Sequence, residues 1–123
     1  MTEKKALRVR DYIEHIVVAI TRIESYVEGL DRAAFIETSL VQDAVIRNFE
    51  IIGEAANKIR TVDAGFAQQH PHLRLDIAYA MRNALAHGYD SVNLLTVWNT
   101  IQNDLPTMKQ QMTAILLSSK DNG

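Results

Sequence analysis

Apolar residues recur at three- and four-residue spacing along almost the whole chain and nowhere alternate one by one, so the pattern predicts helices and no strands. Ile13, Ile16, Val17, Ile20, Ile23 and Val27 form one stripe of a first long helix, which Gly29 is placed to stop. Asp31, or the pair Thr38 and Ser39, can cap the next helical segment. A second long helix carries Val41, Val45, Phe49, Ile52, Ala56 and Ile59 on one face. The third runs from about Leu73 to His87 and ends at Gly88, with Ile77, Met81, Ala84 and Leu85 on its apolar stripe. The fourth begins near Asn93 and carries Leu94, Val97, Trp98, Ile101, Leu105, Met108, Met112 and Ile115, with Pro106 kinking or dividing it. These elements predict one all-α domain over residues 1–123, an up-and-down four-helix bundle with an additional short helix near residues 32–37.

A chain of 123 residues suits one domain and is too short for two, so any site is built on one core or between copies of it. There are no cysteines, which removes disulfides and thiolate chemistry. The net charge of −2 offers no global basic field, so any contact with nucleic acid has to be local. The opening MTEKKALRVRDY is charged where a signal peptide needs an apolar core, and no run approaches membrane-spanning length. The expectation is a soluble cytoplasmic protein with no membrane partner.

The chemistry concentrates in MRNALAHGYD, residues 81–90. On a helix, Asp76, Tyr79, Asn83 and His87 fall opposite the apolar stripe, with Arg82 on one flank. Arginine presents a permanently charged fork matched to two phosphate oxygens, and histidine passes protons near neutral pH. The same residues also fit an ordinary helix end with a solvated arginine and a capping histidine. On the second helix Asp43, Arg47, Glu50, Glu54 and Asn57 share the polar face, where Asp43–Arg47 and Arg47–Glu50 have intrahelical pair spacing. That face is either solvated or a polar interface able to orient Arg82 of a facing helix. His70-Pro71-His72 offers two metal ligands without a third, and fits a loop entering a helix. Glu50 and Glu54 lack the Glu-x-x-His pairs of di-metal bundles, so no metal and no cofactor is expected.

Arg82, four residues, His87, one residue and Tyr89 reproduce the R-x4-H-x-Y motif of the HEPN superfamily, and the chain resembles its HepT-like members in particular. DAVIRNFEIIGEAANKI (43–59) is similar to the family's second-helix signature and VWNTIQNDLP (97–106) to its last-helix signature. Many relatives carry a Pro-Trp pair before the motif helix where this chain has Arg74-Leu75. The resemblance implies a metal-independent endoribonuclease, the toxin of a type VII-like toxin–antitoxin pair, working through the RNA 2′-hydroxyl. Arg82 and His87 would be catalytic, Asn83 supporting, and Asp43, Arg47, Glu50 and Glu54 would form an interface or an outer layer of the site. The implied partners are a second copy, an RNA substrate and a minimal nucleotidyltransferase antitoxin that silences the toxin by AMPylation of Tyr89. The alternative it leaves is a non-catalytic HEPN subunit that binds substrate for a nucleotidyltransferase. A pure binding module has no chemical need of the Arg82/His87 pair.

Overall fold

The computed structural model describes residues 3–87 and 92–121. Helix α1 (Glu3–Val27) buries Val9, Ile13, Ile16, Ile20, Ile23 and Val27, the stripe that the sequence predicts extended by one turn toward the N-terminus, while Val17 at its edge is only partly buried. It ends where Gly29 adopts φ 79, a conformation open to glycine without strain. The short helix α2 (Arg32–Glu37) starts as expected at Asp31, whose Oδ1 accepts from the Ala34 backbone N–H at 2.8 Å.

Helix α3 (Ser39–Val62) is the spine of the bundle, in contact with α1, α2 and the next two α-helices of the chain. Thr38 stands at its N-cap position without capping it. Its hydroxyl instead donates back to Ala34 O at 2.7 Å. Gln42 closes the corner, donating its side-chain amide to Phe35 O and Ile36 O at the end of α2.

Helix α4 (Ala64–Gln69) and a 3-10 turn at Pro71–Leu73 come next, and neither is foreseen in the apolar pattern. Six residues are too few to display a helical period. The buried Asp63 starts α4 by accepting from Phe66 N–H at 3.0 Å, with Lys5 Nζ 3.8 Å away. His70 closes it, its Nδ1 2.9 Å from Phe66 O and its ring stacked on Phe66, so the His-Pro-His segment is a structured connection. Leu73, expected to open the third helix, is fully buried in the 3-10 turn instead.

Helix α5 (Leu75–His87) then returns along α3. The expected fourth helix is divided into α6 (Leu94–Asn103) and α7 (Leu105–Asp121), with Asp104 between them. Pro106 falls in the first turn of α7, where its missing N–H leaves no intrahelical bond unmade. Trp98 packs on the buried Phe35, ring centroids 5.4 Å apart.

Pairings fix the directions. Lys5 meets Asp63, so the start of α1 lies at the end of α3, and Arg10 meets Leu116 O while Glu24 meets Lys109, so α7 runs antiparallel to α1. No helix among the described residues is long and apolar enough to cross a membrane.

Candidate functional site

The seam between α3 and α5 is the place where polar chemistry gathers, and a glycine sets its spacing. A Cβ on Gly53 would collide with Arg82 Cβ and lie 2.8 Å from Ala78 O and 2.9 Å from Arg82 Cγ. Small residues at a helix crossing let backbones approach closely, so Gly53 and Ala78 bring α5 directly onto α3. The pairs Arg60–Tyr79 and Glu54–Arg82 make the two helices antiparallel.

This contact corrects the orientation that the apolar stripe implies for α5. The face pressed on α3 carries Leu75, Ala78, Arg82 and Leu85, and Leu75 and Leu85 are buried. Ile77 is half exposed and, with Met81, lines a cavity of about 380 Å³ between α5 and the junction of α6 and α7. Arg82 therefore does not stand on a flank. Its stem is part of the helix contact, and only its head reaches the surface. The reason is that side-chain size, rather than hydrophobicity, decides which face of α5 can come closest to Gly53.

The guanidinium of Arg82 is held from two sides. Nη1 donates to Asn83 Oδ1 at 3.0 Å, and Nη2 donates to Glu54 Oε1 at 3.1 Å. Nε is buried and without a partner among the described residues. Of the five N–H groups of an arginine, this leaves one on each terminal nitrogen without an acceptor among the described residues, and terminal guanidinium N–H groups are what phosphate oxygens can take up. The side chain of Arg82 is 29% exposed and that of Glu54 is 56% exposed, so the ion pair sits at the solvent boundary. At such a boundary it is worth at most about 1 kcal/mol. A doubly charged or bidentate anion can therefore compete with Glu54 for this fork.

Of the two readings open for the polar face of α3, the structure supplies parts of both. Glu54 orients Arg82 of the facing helix. Arg47, largely exposed, pairs with Glu50 at 3.5 Å, while Asp43 makes no ion pair among the described residues. Asp43, Arg47 and Glu50 instead border a recess of about 510 Å³ at the end of α5, floored by Ile46, Leu85, Val92 and Leu94. The backbone of α5 ends at His87, one turn beyond Asn83. Gly88 and Tyr89 lie outside the described residues. Asn83 and Glu54 are thus each brought into direct contact with Arg82, with Asp43, Arg47 and Glu50 further along the seam.

Two features escape a reading by hydrophobicity. Gly53 had a signal, because a glycine within a helix costs about 1 kcal/mol relative to alanine and asks for a packing reason. Arg60, whose guanidinium carbon lies 5.7 Å from the centroid of the Tyr79 ring, had none. The entry to α5 also departs from the Pro-Trp pattern in a definite way. Arg74 adopts φ 57, which a proline ring forbids, so a proline at this position would require a different approach to the helix. Among the described residues no group of three or more histidine or carboxylate side chains is placed to hold a metal ion.

Comparison with known proteins adds to this geometry. Residues 16–115 match the family described as ribonuclease HepT-like. A protein of Thermococcus cleftensis named "Probable ribonuclease HepT" is 35% identical over 100 residues, covering 81% of this chain and 88% of that one. A protein of Caldanaerobacter subterraneus subsp. tengcongensis named "Putative RNase" is 30% identical over 111 residues, covering 90% of this chain and 96% of that one. A longer protein of Methanocaldococcus jannaschii, named "Gamma-glutamylcyclotransferase and putative RNase", is 32% identical over 108 residues, and the match spans 88% of this chain and only 47% of that one. No solved structure matches the chain.

Proposed function

The chain belongs to the HepT-like ribonuclease family, and from that premise we propose that it is an endoribonuclease whose phosphate-holding group is Arg82 and whose proton-transfer group is His87. The observation that carries this reading is the fork of Arg82, steadied by Asn83 and Glu54 on the helix that ends at His87. RNA brings its own nucleophile. The 2′-hydroxyl attacks the adjoining phosphorus, the bond to the 5′ oxygen breaks, and the products are a 2′,3′-cyclic phosphate and a free 5′-hydroxyl. One proton leaves the 2′ oxygen and one arrives at the 5′ oxygen, which is work for imidazole, while the guanidinium stabilises the charge on the non-bridging oxygens. No step of this scheme calls for a metal.

The reading extends to assembly. Two copies meeting with their α5 helices across a twofold axis would bring two arginines and two histidines to one cleft, and would concentrate positive charge that one mildly acidic chain presents thinly. A homodimeric toxin of this kind would be paired with a minimal nucleotidyltransferase as antitoxin.

The direct test is incubation of the purified, unmodified protein with total cellular RNA in EDTA. Discrete fragments ending in 2′,3′-cyclic phosphate are expected. Intact RNA, or cleavage that needs an added divalent cation, would overturn the scheme.

Control would act at Tyr89. Its phenol oxygen attacks the α-phosphorus of ATP, pyrophosphate leaves, and an AMP group remains, placing a negative phosphodiester two residues beyond His87. That charge competes with RNA for Arg82, and the nucleoside occupies space that substrate needs. Co-expression with the partner nucleotidyltransferase should add whole AMP units to the wild-type mass and none to Tyr89→Phe. AMP on another residue would remove Tyr89 from this role.

A further inference from the structure

Tyr79 stands on α5 one turn before Arg82 and Asn83, at the i, i+3 and i, i+4 separations that share a helix face. The rise over that turn is about 5 Å. Its side chain is partly buried, and the Arg60 guanidinium reaches across from α3 to lie 5.7 Å from the ring centroid. Arg60 is exposed and, unlike Arg10, Arg47 and Arg82, makes no ion pair among the described residues. An un-neutralised guanidinium and an aromatic ring therefore sit side by side, one helical turn from the fork that we assign to phosphate.

Those are the two kinds of surface on which unstacked nucleobases of single-stranded RNA are held, the aromatic ring and the guanidinium plane. An exposed cation–π contact is weak, whereas stacking one base on such a platform is the stronger interaction. A base can thus displace or overlie the Arg60–Tyr79 contact with net gain. We infer that Tyr79 and Arg60 form a nucleobase-stacking subsite, taking the base of a nucleotide next to the phosphate held by Arg82. The inference rests on the ribonuclease reading and deepens it. The substrate at this point is unpaired RNA, because a base within a duplex has no free face to offer. The subsite tolerates any base in principle, since each has a π face, and so it would set position along the strand rather than sequence.

The test uses short single-stranded oligoribonucleotides in which one abasic ribonucleotide, with its 2′-hydroxyl intact, is walked across the cleavage site. For the wild-type protein KM should rise about tenfold in one register beside the cleaved bond, with kcat little changed. Tyr79→Ala should show the raised KM on intact RNA and no further rise with the abasic nucleotide in that register, while Tyr79→Phe, which keeps the ring, should behave as wild type. A purely structural Arg60–Tyr79 contact would leave wild-type KM equal in every register, which would overturn the subsite. So would an abasic effect that persists undiminished in Tyr79→Ala. If the alanine variant does not fold, Tyr79→Leu, which fills much of the same space without a π face, takes its place and should lose the abasic effect in the same way. Cleavage that ignores the missing base overturns the subsite alone, whereas absence of any cleavage overturns the ribonuclease reading and the subsite with it.

Discussion

Gly53→Ala is expected to destabilise the protein and to silence it, although the same substitution within an ordinary helix stabilises by about 1 kcal/mol. The opposing term is the seam. The new methyl would meet Arg82 Cβ and Ala78 O, a backbone atom that cannot rotate away, so α5 has to move off α3. Overpacking of this kind costs about 1–3 kcal/mol in excess of what is gained. For a domain of this length the melting temperature should fall by roughly 5–15 °C. The displacement also carries Arg82 away from Glu54, and a misplacement of about 1 Å at a reacting centre is enough to reduce turnover about a hundredfold. Gly65→Ala is the internal control, since a Cβ there meets nothing closer than Asp63 Oδ1 at 3.4 Å. Thermal melts of the two variants beside the wild type give the measurement. A Gly53→Ala protein that melts at or above the wild-type temperature would show that α5 is not held by this contact.

The same glycine marks where a one-dimensional pattern stops being informative. The stripes of α1 and α3 are legible because each runs for more than twenty residues and buries large aliphatic side chains at regular spacing. The cap at Asp31 and the division near Pro106 arise from local chemistry, and the structure has both. The face of α5 is another matter. Its contact with α3 is made through Ala78 and the stem of Arg82, which a hydrophobicity pattern discounts, while Ile77 and Met81, which it favours, line a cavity. Helix α4 and the 3-10 turn depend on Asp63, His70 and the burial of Leu73, contacts that connect distant parts of the chain. For the candidate site, residue types and spacing leave Arg82, Asn83 and His87 open to an ordinary helix end as well, and it is the likeness of R-x4-H-x-Y to the family motif that singles them out. That Glu54 is the acid facing Arg82 depends on the helix register, which only the packed structure gives.

That register also changes which substitution best tests the role of Arg82. Since its stem fills the α3–α5 contact, Arg82→Ala removes packing as well as charge, and loss of activity alone would be ambiguous. Arg82→Lys keeps an aliphatic stem and the positive charge but replaces the fork with a point donor. A lysine ammonium cannot hold Asn83, Glu54 and two phosphate oxygens in one plane. The variant should therefore fold with a melting temperature within a few degrees of wild type, roughly the effect of one boundary ion pair. Its cleavage rate should fall about 10²–10³-fold, the usual consequence of losing one well-placed donor to a developing charge. His87→Ala should lose activity at least as completely, for want of a proton carrier. Mixing the two inactive proteins then probes the proposed cleft. If each site draws on both copies, hybrid dimers hold one intact Arg82 and one intact His87, and part of the activity returns as subunits exchange. Cleavage by Arg82→Lys at the wild-type rate would remove the arginine from the reaction. Full activity of the wild type at dilutions where only monomer is detected would remove the second copy instead.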